Sequence, residues 1–223
     1  MGYSHHSGVM IVCDGYWLLP ASRRSPWQQK QGMALINGTQ TSTALALHAL
    51  LSFEPVLHAA LVIGALTVDA AGGSDGPFDA RIHALRGQPG QMDMAVVYRA
   101  VLQGSAIRQS HREGDDRVQD PHSLRFQPQV VGARVDQLRN ATKVLVYAAN
   151  ADTGNPLDFA EDGAKVSGGN FHAEPVALVT DGMALVIAEV GAIAERRIAI
   201  LIDAVCRACR RFSQGTPAST VAS

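Results

Sequence analysis

From Thr39 to Ala71 almost every position is small or apolar, and ionisable side chains are confined to His48, Glu54, His58 and Asp69. A run of this kind is the sequence form of buried helix. Pro55, its only internal breaker, predicts two consecutive helices meeting there. Gly72-Gly73-Ser74-Asp75-Gly76-Pro77 stops helix and predicts a loop. A short helical piece follows over about Phe78 to Leu85, then the breaker GQPGQ, then a clearer helix over about Met92 to Leu102. Between Pro128 and Asn150, Val130, Val131, Val135, Leu138, Thr142, Val144 and Leu145 recur at helical spacing, with Arg134, Asp136 and Arg139 on the other side. Asn155-Pro156 ends that pattern. Leu157-Asp158-Phe159 and Lys165-Val166 flank Asp162-Gly163, a pair suited to the positive φ of a tight turn, so a small β-hairpin is expected near 157–166. The glycine-rich SGGNF at 167–171 then leads into a last helix, about Ala173 to Asp203, that is apolar on most faces. These elements predict an all-α helical bundle with polar loops at the helix ends.

Against this background HREGDDRVQDPHSLRFQPQ, residues 111–129, stands out: seven charged side chains, three glutamines, two histidines and two prolines between apolar segments. Two other polar stretches, LINGTQ at 35–40 and SGGNFHAEP at 167–175, also lie between helices. The long helices are too apolar for the outside of a monomer, which predicts self-association.

Composition narrows the picture. With 223 residues, 47% of them hydrophobic and 17% charged, the chain is long and apolar enough for a sizeable core. Nineteen basic against twenty acidic residues leave a formal charge of −1, so no net field draws it to nucleic acid or an anionic membrane. The apolar stretches are interrupted by Glu54 and His58, and by Asp181, Glu189 and Glu195, so none is expected to reach the roughly 20 residues of a membrane span. The first residues do not read as a secretory signal, and a cytoplasmic location is expected. Cys13, Cys206 and Cys209 make no disulfide framework, and the Cys206-Arg-Ala-Cys209 pair lacks the further ligands of a zinc site, so no metal is expected.

The polar stretches hold chemistry suited to a small zwitterion. Arg125 offers the planar fork that matches a carboxylate. Asn37, Gln119 and Asn170 can donate and accept, and Phe171 can wall a pocket. Each has a structural alternative: Asn37-Gly38-Thr39 reads equally as a helix start capped by Thr39, and Arg125 as an ion-pair residue. His48 and His58, within apolar helix, read as packed or half-exposed residues at the edge of the core. Nothing in the chemistry of Arg81 and His83 separates a structural part from a catalytic one.

At these residues a resemblance becomes specific. MALINGTQTSTALAL, GSDGPFDARIHALRGQPGQMD, SHREGDDRVQDPHSLRFQPQVVGA, NPLDFAEDGAKVSGGNFHAEPVA and IAEVGAIAERRIAILID resemble histidine ammonia-lyase in order and spacing. The resemblance runs from about Lys30 to Asp203, leaving 1–29 and 204–223 unmatched. It implies the helical bundle of the histidine and phenylalanine ammonia-lyases, a homotetramer that eliminates ammonia from L-histidine to give urocanate, the first step of histidine degradation. It implies an electrophile, 4-methylidene-imidazol-5-one (MIO), made from an internal Ala-Ser-Gly. It also implies roles: Asn37 beside the electrophile, Arg125 on the substrate carboxylate, Gln119 orienting ligand or electrophile, Phe171 lining the pocket, and the 111–129 stretch completing a neighbouring subunit's site.

There are departures. His122 stands where the family usually has an active-site Tyr, and Gly154 replaces a usual Asp. No Ala-Ser-Gly occurs; Ala21-Ser22-Arg23 and Val166-Ser167-Gly168 are the nearest strings. The expectation is an internal piece of a histidine ammonia-lyase, its flanks read from another frame or an altered start, and inactive alone. A non-catalytic helical association fragment, and a related tyrosine or phenylalanine ammonia-lyase or aminomutase, are the alternatives.

Overall fold

The computed structural model describes residues 37–110 and 119–202. Their elements are α1 (Gln40–Ala70), a single 3-10 turn (Gly76–Phe78), α2 (Ala80–Arg86), α3 (Pro89–Leu102), α4 (Ala106–Ser110), α5 (His122–Arg125), α6 (Gln127–Ala149), an antiparallel pair β1 (Leu157–Asp158) and β2 (Lys165–Val166), and α7 (Glu174–Ile202). The hairpin falls where Asp162-Gly163 predicts it, with Gly163 at φ 69° and register Leu157 opposite Val166.

The two helices expected on either side of Pro55 are one. α1 runs 31 residues with Pro55 inside it. A proline in a helix costs about 3 kcal/mol through a lost hydrogen bond and a crowded carbonyl. Leu51, Ser52 and Pro55 are all exposed, so water reaches the disturbed turn. On the opposite side Ala46, Leu61, Ala65 and Val68 are buried, with Leu47, Leu50 and Leu57 partly so. At about 1.5–3 kcal/mol for each large aliphatic side chain removed from water, this burial outweighs one proline. The position is nonetheless a boundary: the described residues divide into two compact units, one of 37–54 and 138–184, the other of 55–110, 119–137 and 185–202.

Unbroken, α1 and the 29-residue α7 are each long and apolar enough to cross a membrane by length and composition. This corrects the expectation that no segment reaches that length: Glu54 and His58, or Asp181 and Glu189, interrupt the apolar run without ending the helix. A helix inside a bundle passes the same test.

In the first unit Ala46, Ala141, Leu145, Val176 and Met183 form the core. The second unit is built on Leu61, Ala65, Val68, Phe78, Met94, Tyr98, Leu102, Leu124 and Val131, with the Phe78 and Tyr98 rings stacked at 5.3 Å. α2 starts at Asp79, whose side chain accepts from the Arg81 N–H, and stops at Gly87, which takes φ 70°. α3 meets α6 where Gly90 and Gly132 face each other without side chains, and the Gly90 N–H donates to Asp136 at 3.0 Å. Beneath lies a polar seam. Gln127, fully buried, donates to the carbonyls of Gly64 (3.3 Å) and Leu124 (3.1 Å) and accepts from Arg197 (2.5 Å). Arg197 is itself buried beside the Tyr98 hydroxyl; burial lowers its pKa against the pull of Tyr98 and pushes Tyr98 up to about 12.

Candidate functional site

The residues singled out from the sequence fall into two groups, one in each unit. In the second unit, Gln119, His122 and Arg125 sit on and just before the single turn α5. The turn exists because Pro121 cannot donate and opens a helix well, while its carbonyl accepts from the Leu124 and Arg125 N–H groups. Ser123 and Leu124 point inward and are buried, which turns His122 toward solvent. Asp120, also buried, accepts from the Ser74 N–H at 2.6 Å and moors the approach to the turn.

Three polar atoms in this region are buried without a hydrogen-bond partner: Arg125 Nε, Ser123 Oγ and Gln129 Oε1. A buried donor or acceptor left unpaired costs about 1–3 kcal/mol, so each of these atoms has bonding capacity that a ligand could use. Arg125 has the geometry for a carboxylate. Ser123 and Gln129 were not singled out from the sequence although both lie in the quoted 111–129 string; only burial separates them from the polar residues around them.

His122 lines a groove of about 490 Å³ with Ser123, Phe126, Val130 and, from α7, Glu189, Ile193 and Arg196. Its ring lies 5.1 Å from that of Phe126, tilted by 34°. The charged groups at the rim are matched: Glu189 pairs with Arg134 at 2.9 Å and Arg196 with Glu195 at 2.5 Å. What remains is an apolar trough carrying one imidazole.

In the first unit, Asn37 and Phe171 come to one end through Asp152 and Thr153. The Thr39 N–H donates to Thr153 Oγ1 (3.2 Å) and Asn170 Nδ2 donates to the Asp152 carbonyl (3.3 Å), so one short loop touches both the start of α1 and the glycine-rich segment. Thr39 precedes the first helical residue, the cap position expected of it, while Asn37 is half-buried. Phe171 is 39% exposed. Asn170 is occupied in holding the loop, a structural role.

His48 and His58 are exposed rather than packed, because α1 turns Ala46, Phe53 and Leu61 inward instead. Among the described residues no three His, Cys, Asp or Glu side chains converge as metal ligands, and Cys206 and Cys209 lie outside those residues. The residues present do not fit the precursor of MIO. Ala21-Ser22-Arg23 lies outside the described residues, and Val166-Ser167-Gly168 is exposed beside the hairpin with open space around Gly168.

The sequence matches the family described as aromatic amino acid lyase over residues 22–219. It is 62% identical over 175 residues to a histidine ammonia-lyase of Aromatoleum aromaticum, covering 78% of this chain and 33% of that protein. The crystal structure of histidine ammonia-lyase from Trypanosoma cruzi superimposes with a TM-score of 0.70 at 33% identity, over 81% of this chain and 33% of that one. A tyrosine aminomutase from Streptomyces globisporus does so with a TM-score of 0.73 at 32% identity, over 82% and 39%. The chain therefore spans about a third of the length of the curated relatives it matches.

Proposed function

The chain belongs to the aromatic amino acid lyase family, and from that premise we propose that it is a portion of a histidine ammonia-lyase, the enzyme that releases ammonia from L-histidine and leaves urocanate. The observation that carries this reading is the 62% identity to a histidine ammonia-lyase across 78% of the chain. The buried, unpaired Nε of Arg125 is its structural counterpart.

Arg125 binds the substrate carboxylate through its guanidinium fork. His122, on the same turn and open to solvent, hydrogen-bonds the substrate or moves a proton. Gln119 and Asn37 orient polar groups, and Phe171 supplies an apolar wall. MIO is the family's electron sink, and its Ala-Ser-Gly precursor is not among these 223 residues; what they contribute is binding, orientation and proton transfer. The exposed apolar side chains of α1 and α7, Leu66 and Leu185 among them, are covered by further copies of such subunits in a tetramer.

The test is ligand binding and assembly. Calorimetry on the purified chain should rank L-histidine above L-tyrosine and L-phenylalanine, with binding lost in Arg125→Ala. Co-expressed with an intact histidine ammonia-lyase subunit, the chain should enter the tetramer, whereas alone it should release no urocanate. Preferential binding of tyrosine would favour the aminomutase-like reading, which the similarity to the Streptomyces globisporus structure supports. Urocanate formed by the chain alone would overturn the assignment of roles above.

A further inference from the structure

His83 has 1% of its surface exposed, and the reaction proposed above makes no use of it. Its Nε2 lies 3.0 Å from the Pro77 carbonyl oxygen and its Nδ1 2.9 Å from the side-chain nitrogen of Gln91, itself buried in the first turn of α3. A carbonyl can only accept, so Nε2 carries the hydrogen and donates to Pro77. An amide nitrogen can only donate, so Nδ1 is a bare acceptor. Together the two bonds select one neutral tautomer. An imidazolium would set its second N–H against the Gln91 N–H; reversing the amide would repair that bond and still leave a charge out of reach of water.

The charged groups around the ring do not neutralise such a charge. Asp79, from the loop, is engaged by Arg81. Arg99, from α3, donates to the Phe78 carbonyl at 2.6 Å and repels a cation. Asp136, from α6, is bonded to the Gly90 N–H. Burial is the largest influence and lowers the His83 pKa, with Arg99 adding to it against the Pro77 bond and Asp79.

We propose that the Pro77–His83–Gln91 bridge is a proton-sensitive latch, closed while His83 is neutral and fastening the 72–79 loop to the corner between α2 and α3. The same loop donates from Ser74 N–H to Asp120, so its release also loosens the approach to α5. The unfolded chain takes up a proton at His83 near its ordinary pKa of 6.5 and the folded chain does not. The contribution is therefore complete above that pH and declines as pH falls toward the folded value.

The test uses the full chain at pH values from about 7.5 down to about 4.5, with NMR of isotope-labelled histidine and hydrogen exchange of the 72–79 segment. His83 is identified by the signal lost in His83→Gln. In the wild type it should remain the neutral Nε2–H tautomer well below its ordinary pKa of 6.5, and exchange at 72–79, corrected for its intrinsic rate, should quicken about tenfold as it protonates. Gln91→Glu places a carboxylate on Nδ1; His83 should then titrate at least about one unit higher and the acid-induced loosening should vanish. Titration of wild-type His83 near 6.5, or protonation without faster exchange at 72–79, would overturn the latch. Should Gln91→Glu not fold, those wild-type measurements decide alone.

Discussion

The two stretches that carry the candidate site are held in place in opposite ways. α5 rests on its own unit: Leu124 is in the core, Asp120 accepts from Ser74, and Gln127 beneath it satisfies Gly64, Leu124 and Arg197 at once. The 167–172 segment of the other unit is exposed at every position, and its ties are bonds from Gly168 N–H to Asn155 Oδ1 (2.8 Å) and from Asn170 to the Asp152 carbonyl, both open to water. An exposed hydrogen bond replaces one to water at little net gain, whereas breaking a buried one strands an unpaired group. α5 is thus fixed by buried bonds of its own unit, while the glycine-rich loop is tied only by exposed ones.

The largest break in this contrast comes from Gln127→Ala, which leaves the buried Arg197 guanidinium and two carbonyls without their partner. A loss of about 3–5 kcal/mol in urea unfolding is expected, and a loss below about 1 kcal/mol would mean that the seam under α5 is not what holds it. Alkaline pH probes the same seam. Burial holds the Tyr98 hydroxyl protonated to about pH 12, while the unfolded chain ionises near 10. Stability from this group is therefore intact below about pH 10 and falls by about 2–3 kcal/mol as pH climbs toward 12. Tyr98→Phe should flatten that limb of the unfolding midpoint against pH. Asp120→Asn weakens the acceptor for Ser74 and should cost about 1–2 kcal/mol, with faster amide exchange at Ser74. Smallest of all, Asn170→Ala in the exposed loop should change global stability by less than about 0.5 kcal/mol while accelerating exchange at 167–172. A cost as large as that of Asp120→Asn would erase the distinction between the two regions.

Much of the fold could be read along the chain. The hairpin followed from Asp162-Gly163, and α6 and α7 from apolar spacing, because those patterns report a local conformational preference. Pro55 misled for the complementary reason: its local cost is real, but the packing on both sides of it is not visible one residue at a time. The candidate site residues were chosen by type, Arg125 for its guanidinium fork and Phe171 for its apolar ring. That Asn170 holds its own loop, and that Ser123 and Gln129 carry buried unpaired atoms, was not legible, because neighbouring polar residues in one string look alike until some of them are buried.

The sequence by itself determined where the long helices lie, where the hairpin turns, and which family the chain belongs to, since periodicity, turn chemistry and motif order are properties of neighbours along the chain; the short α4 and α5 carry no such periodicity. The tertiary structure alone decided that α1 continues through Pro55, that Gln127 joins Gly64 to Arg197, and that His83 is locked in one neutral tautomer. Each of these depends on desolvation by residues remote in the chain, and removal from water is what gives a proline, a glutamine or an imidazole an energy that its place in the sequence does not contain.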